Sequence, residues 1–168
     1  MKKLWSLSFI VLLLACASRT EKAVAIMHPA SGSNVQGKVE FTQGQTGVLL
    51  SASISGLTPG LHGFHIHENG DCSAENASTA GGHFNPEGAR HGSPLDASHH
   101  MGDMGNLLAK ENGVAEYEEV LKGITLKDVP NNILGRSLII HAATDDFTSQ
   151  PSGNSGSRIA CGVIKLVK

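Results

Sequence analysis

Several stretches of the chain alternate between apolar and polar residues, the pattern of a β-strand with one buried face. The alternation is clearest in residues 35–42 and 48–54, and it returns in residues 61–68. Shorter strand-like runs occupy residues 23–27, 106–109, 114–121, 123–126, 137–142 and 159–167. No stretch after the first 15 residues has a convincing helical period. The pattern therefore predicts an all-β domain of about eight short antiparallel strands, arranged as a sandwich or barrel.

Two stretches, residues 69–100 and 143–157, interrupt this pattern and have no period at all. They are longer than ordinary connections, which indicates functional or disordered loops. Seven of the nine histidines fall between His62 and His100, in or beside the first of these loops. Clustered imidazoles next to glycine-rich turns favour a metal site held by the loops.

His65 and His67 lie two residues apart on a predicted strand, so that both imidazoles leave the same face. Such a pair can bind one metal ion, although an ordinary polar strand face has the same pattern. His141 ends another predicted strand, on the opposite face from Leu138 and Ile140. Three imidazoles brought together in this way would suit copper.

The long loop supplies a second candidate set: His83, His91, His100 and Asp103. Three imidazoles and one carboxylate can close a tetrahedral shell around Zn²⁺. The alternative is a solvated histidine-rich loop. Zinc is favoured because ordering a loop of this length is costly, and metal binding to the folded state offsets that cost.

The N-terminus has the features of an export signal. Lys2 and Lys3 precede an apolar run that is too short to span a membrane. The run closes at Cys16 in a sequence that resembles the bacterial lipoprotein signal, so we predict a signal peptide in residues 1–15, a lipid anchor and short tether in residues 16–22, and one domain in residues 23–168. Simple cleavage to a soluble secreted form is the alternative. Loss of the two lysines changes the formal net charge from −2 to −4, which argues against a nucleic-acid partner.

Five ordered motifs resemble the copper/zinc superoxide dismutase family. They are Gly63-Phe-His-Ile-His-Glu68, Gly82-His-Phe-Asn-Pro86, His91-Gly-Ser-Pro94, His100-Met-Gly-Asp-Met-Gly-Asn106 and Gly153-Asn-Ser-Gly-Ser-Arg-Ile-Ala-Cys-Gly162. The resemblance covers roughly residues 23–166. It implies a flattened, eight-stranded Greek-key β-barrel with two long metal-site loops, and superoxide as the substrate.

The resemblance also assigns roles to individual residues. Copper would be held by His65, His67, His83 and His141, and zinc by His83, His91, His100 and Asp103. His83 would thus bridge the two ions and supply a proton to the product. Asp145 would join His65 to His91, and Arg158 would position the anion beside copper. Cys72 and Cys161 would form a disulfide, which leaves Cys16 as the lipidated cysteine. His28, His62 and His99 are interpreted as non-ligands.

Two other functions compete with a dismutase. A copper-delivery module on the same fold would lack some ligands or carry an added Cys-x-x-Cys motif, and the sequence shows neither. A zinc hydrolase would need an open coordination position on zinc, which Asp103 fills. We therefore expect a lipid-anchored enzyme on the periplasmic or outer side of a bacterial membrane, as a monomer or a homodimer.

Overall fold

The computed structural model describes residues 20–127 and 130–168. Within these ranges the chain forms nine strands and a single turn of 3₁₀ helix at Ser78–Ala80. The strands are β1 (Lys22–Pro29), β2 (Gln36–Gln43), β3 (Val48–Ser55), β4 (Gly60–His67), β5 (Asp103–Ala109), β6 (Ala115–Leu121), β7 (Ser137–His141), β8 (Arg158–Val163) and β9 (Lys165–Leu166). The all-β prediction is confirmed, with the two-residue β9 as an addition.

The strand order is β5-β4-β7-β8-β1-β2-β3-β6, with every neighbouring pair antiparallel, and β9 adds to β1. The two ends of this order, β5 and β6, approach each other and nearly close a barrel. Tyr117 on β6 donates a hydrogen bond from its hydroxyl to the carbonyl of Met104 on β5, at 2.9 Å. The ring of Tyr117 also meets Phe64 edge-on, with 5.8 Å between the ring centroids. The hydrogen bond from Tyr117 therefore joins β6 to β5, the two ends of the strand order.

The predicted alternation matches the observed burial on β2 and β3, whereas residues 62–67 of β4 are all buried and do not alternate. On β3, Val48, Leu50, Ala52 and Ile54 are buried, while the residues between them are exposed. Inward-facing residues of the other long strands complete one continuous core. The core thus arises because period two directs every second side chain into the barrel.

Residues 123–126 do not form the predicted strand. Ile124 and Leu126 are buried, but the segment is a turn with one isolated bridge, from Thr125 to Asn132. The side-chain oxygen of Gln43 accepts hydrogen bonds from the hydroxyl of Thr125 and the backbone N–H of Leu126. Ile124 and Leu126 belong to a turn whose apolar side chains pack into the core. Their spacing of two residues resembles that of a strand, although no strand forms.

Two long connections lie outside the barrel, at residues 68–102 between β4 and β5 and at residues 142–157 between β7 and β8. Cys72 in the first loop is bonded to Cys161 on β8, as the family resemblance implied. Ala77, Ala80 and Ile139 pack around this disulfide as a small separate apolar cluster. The disulfide therefore fixes the first loop against the barrel wall.

Candidate metal centre

The first histidine cluster lies where β4, β7 and the long β4–β5 loop meet. β4 contributes His65 and His67, and His141 ends the neighbouring strand β7. His83 comes from the loop and pairs with His67 through an isolated antiparallel bridge. All four side chains are buried, and the structure brings one ring nitrogen of each within 4.8 Å of the others.

The second ring nitrogen of each histidine in this cluster is hydrogen-bonded outside it. The pairs are His65 Nε2 with Asp145 Oδ2 at 2.7 Å, His67 Nδ1 with the Gly81 carbonyl at 2.9 Å, His83 Nδ1 with Asp103 Oδ1 at 2.7 Å, and His141 Nδ1 with the Gly156 carbonyl at 3.2 Å. In His65, His67 and His141, the nitrogen that is hydrogen-bonded to an oxygen donates its N–H. The other ring nitrogen, which faces the cluster, therefore carries a lone pair.

The ring nitrogens that face the cluster are buried and have no hydrogen-bond partner. They are Nδ1 of His65 and Nε2 of His67, His83 and His141. Buried polar atoms are normally paired, so four unpaired nitrogens within 4.8 Å of one another form a set that fits a cation. An all-imidazole set of this kind fits copper.

The second cluster forms around one carboxylate oxygen, Oδ1 of Asp103. The Nδ1 atoms of His83, His91 and His100 lie 2.7, 3.0 and 3.4 Å from this oxygen, and those of His83 and His100 lie 3.4 Å from each other. A tetrahedral Zn²⁺ with ligands at 2.0–2.1 Å requires ligand-to-ligand distances of about 3.3 Å. The donor set and its spacing therefore fit zinc. His83 is common to both clusters, with Nδ1 in this one and Nε2 in the first.

Burial disfavours the charged form of three rings in the first cluster. Burial lowers the pKa of His65 to about 4 and that of His141 to about 3, and it also lowers the pKa of His67. Neutral imidazole is the form that donates a lone pair to a metal ion. Burial also disfavours the charged form of His91, but hydrogen bonds to Asp103 and Asp145 outweigh this effect and raise its pKa to about 9.

Asp145 connects the two clusters. Its Oδ2 accepts from His65 Nε2, and its Oδ1 lies 2.9 Å from His91 Nε2. The carboxylate is buried, and the hydrogen bonds from both rings keep its pKa low although burial alone would raise it. Gly153 packs so closely that an added Cβ would collide with the carboxylate and stand 2.6 Å from His91 Nε2. Only glycine fits there, at a φ of +63°.

Three further residues support the site and were missed from the sequence. Asn106 on β5 is hydrogen-bonded to the backbone of Asp145. The side-chain amide of Gln150 binds both the N–H and the carbonyl of His91. His62, interpreted from the sequence only as a non-ligand, is buried, with Nδ1 2.8 Å from the carbonyl of His141. All these contacts join positions far apart in the chain, so no local pattern marks them.

Arg158 stands at the start of β8, directly opposite His141 in the strand register. Its Nη1 and Nη2 donate to the carbonyls of Ala77 and Gly81, at 2.7 and 2.6 Å. The guanidinium lines a cleft of about 490 Å³ together with His67, His83 and His141. An anion entering this cleft meets a fixed cation beside the first cluster.

The predicted signal peptide in residues 1–15 and the predicted lipidation at Cys16 lie outside the described residues. None of the helical structure in the part of the chain that the structure describes is long and apolar enough to cross a membrane.

Comparison with known proteins places this site in a family. A family model described as copper/zinc superoxide dismutase matches residues 35–164. An extracellular superoxide dismutase [Cu-Zn] of Brugia pahangi is 40% identical over 158 residues, covering 89% of this chain and 78% of the relative. A protein of the same description from Onchocerca volvulus is 44% identical over 161 residues, covering 86% of this chain and 76% of the relative.

Proposed function

The chain belongs to the copper/zinc superoxide dismutase family, and we propose that its two histidine clusters are the metal sites of the reaction. The enzyme converts superoxide into dioxygen and hydrogen peroxide outside the cytoplasm, using copper and zinc. Copper would be bound by His65, His67, His83 and His141. Zinc would be bound by His83, His91, His100 and Asp103. The observation that carries the copper assignment is the set of four orphaned nitrogens pointing at one another.

The metals divide the chemistry between them. When bound, copper would supply one-electron redox chemistry, whereas zinc has no accessible second oxidation state and would serve a structural role. Overall, two superoxide anions and two protons give one dioxygen and one hydrogen peroxide. The residues of the chain must therefore bind a small anion, hold it in place and provide protons.

We assign the proton to His83. Its buried Nε2 belongs to the first cluster and the residue lines the cleft, while Asp103 and the second cluster hold the ring through Nδ1. Nε2 has one lone pair, so it would carry a proton only while it is not bound to copper; held through Nδ1, the ring could then deliver that proton to a peroxide anion without losing its position. The second proton comes from solvent in the cleft.

We assign the binding of the anion to Arg158. Two backbone carbonyls fix its guanidinium, so little side-chain entropy is lost when an anion binds. Asp145 has a positioning role, because its two oxygens orient a ring from each cluster and fix the nitrogens that face the metals.

We further propose that residues 1–15 are removed on export and that Cys16 then carries the lipid. The support for the lipid is the sequence pattern alone, whereas the relatives described as extracellular fit the soluble secreted alternative. Mass measurement of the mature N-terminus distinguishes the two forms, since a diacylglyceryl group on Cys16 adds a mass that simple cleavage does not.

The oligomeric state is a separate question. Sedimentation velocity distinguishes a monomer from a homodimer.

The assignment of the two sites is tested by metal content together with activity. The purified protein should contain one copper and one zinc per chain, remove superoxide rapidly, and lose activity when cyanide occupies copper. A protein that takes up zinc alone, or that stays inactive after copper is added, would overturn the assignment.

A further inference from the structure

Arg136 lies outside both clusters, directly before β7, and is half-buried. Its Nη1 donates to the carbonyl of Glu68 at 2.9 Å, and its Nε donates to the carbonyl of Asn132 at 3.0 Å. The flat guanidinium also covers the ring of Phe84, with Cζ 3.6 Å from the ring centroid. One side chain thus makes three specific contacts, with three separate segments.

Two of these contacts reach the immediate neighbours of proposed copper ligands. Glu68 follows His67, and Phe84 follows His83. The same two segments are joined directly, because the N–H of Glu68 donates to the carbonyl of Gly82 and the N–H of Gly82 donates to Oε1 of Glu68. Arg136 adds a further link between these two segments, through Glu68 and Phe84.

Only arginine can make this set of contacts. Its guanidinium offers N–H groups in a rigid fork and a planar face that can stack on an aromatic ring, whereas the lysine ammonium is a point charge on a flexible stem. The stacking with Phe84 is a cation–π contact, which strengthens where water is excluded, and Phe84 is buried. The arrangement ties the ring next to His83 to the backbone next to His67.

We propose that Arg136 is a positioning residue of the copper site, which sets the separation of the His67 and His83 imidazoles by clamping Glu68 and Phe84. This proposal rests on the proposed copper assignment of those two histidines. Arg136 is not itself a proposed ligand. It acts through the backbone carbonyl of Glu68, next to His67, and through the ring of Phe84, next to His83.

The test is Arg136→Met, which keeps an unbranched, flexible stem but removes the charge, the hydrogen bonds and the planar face. We expect the electron paramagnetic resonance spectrum of bound Cu(II) to change, and copper affinity, measured by competition with a chelator, to fall about 10- to 100-fold. Zinc affinity should change less, since His91, His100 and Asp103 are not clamped. An unchanged spectrum and unchanged copper affinity would overturn the proposal.

Three further variants separate positioning from general stability. Arg136→Lys restores the charge and Phe84→Leu removes only the aromatic face, so both should show the altered spectrum. Leu50→Ala, in the core on the distant strand β3, should lower the melting temperature and leave the Cu(II) spectrum as in the parent. If Leu50→Ala moves the spectrum as Arg136→Met does, the effect is one of stability and the clamp is refuted.

Failure of the clamp is distinguishable from failure of the copper assignment. If the unaltered protein gives no Cu(II) signal from nitrogen ligands, the copper assignment itself is wrong. If the unaltered protein gives that signal and Arg136→Met gives the same one, only the clamp is wrong.

Discussion

Asn106 and Asp145 hold each other through a reciprocal pair of hydrogen bonds. The amide Nδ2 of Asn106 donates to the backbone carbonyl of Asp145 at 3.0 Å, and the backbone N–H of Asp145 donates to Oδ1 of Asn106 at 2.8 Å. Asn106 belongs to β5 and Asp145 to the β7–β8 loop, 39 residues later. A barrel strand therefore fixes the carboxylate that joins the two histidine clusters.

Replacement of Asn106 should weaken both metal sites. Asn106→Ala removes both hydrogen bonds, so Asp145 loses the support that holds its oxygens against His65 and His91. We expect copper and zinc affinities to fall about tenfold or more, as is usual when a group that orients a ligand is lost. Chelator competition measures both affinities. Asn112→Ala is the matched control, since the side chain of Asn112 is hydrogen-bonded only within the turn between β5 and β6, and we expect both affinities to stay unchanged.

Replacement of His141 should separate the two metals. His141→Gln removes one of the four nitrogens of the first cluster and leaves the second cluster intact. We expect copper binding and superoxide removal to be lost or strongly reduced, while one zinc per chain is retained. Metal analysis and an activity assay measure these outcomes. His28→Gln is the control because His28 is exposed at the end of β1. Full activity in His141→Gln would refute the copper assignment.

Much of the fold was predictable, because apolar and polar residues alternate on β2 and β3 and this alternation indicates which side chains are buried. The motifs around His65, His83 and His100 carry the resemblance in order along the chain. The supporting residues were not predictable from local pattern. Asn106, Gln150 and Arg136 are ordinary polar residues whose roles depend on partners in distant segments. The segment at residues 123–126 was predicted wrongly as a strand. Its buried apolar residues have a strand-like pattern, and the sequence does not show that Gln43 accepts two hydrogen bonds from the segment.

Removal of the disulfide should reduce both stability and activity. Cys72 and Cys161 are 89 residues apart. A cross-link that closes a loop of that length lowers the conformational entropy of the unfolded chain, which stabilises the folded state by about 4 to 5 kcal/mol. The disulfide also holds the segment whose carbonyls, at Ala77 and Gly81, fix Arg158. We expect Cys72→Ser to lower the melting temperature and, even at temperatures where the protein stays folded, to reduce kcat/KM. The measurements are thermal unfolding and superoxide removal on the metal-loaded protein. A fall in melting temperature with kcat/KM intact would show that Arg158 does not depend on the disulfide.

The rate at which superoxide reaches the cleft, measured as kcat/KM, should depend only weakly on ionic strength. Residues 142–157 contain neither lysine nor arginine, and of the residues lining the cleft in the described chain, Arg158 carries a permanent positive charge while Glu68 is acidic. Long-range attraction of an anion needs several such cations, and added salt screens it. We therefore expect kcat/KM to fall less with ionic strength than in relatives with lysines in this loop.

A variant with an added cation tests the cause of this weak salt dependence. Ser152 lines the cleft from the β7–β8 loop, and Ser152→Lys adds a positive charge at the entrance without altering a proposed ligand. Its kcat/KM should exceed that of the parent at low ionic strength and fall more steeply as salt is added, while Ser152→Gln, of similar size and no charge, should behave as the parent. The measurement is kcat/KM over a series of ionic strengths at constant pH. A steep salt dependence already present in the parent would contradict the prediction and would mean that charges outside the cleft steer the anion.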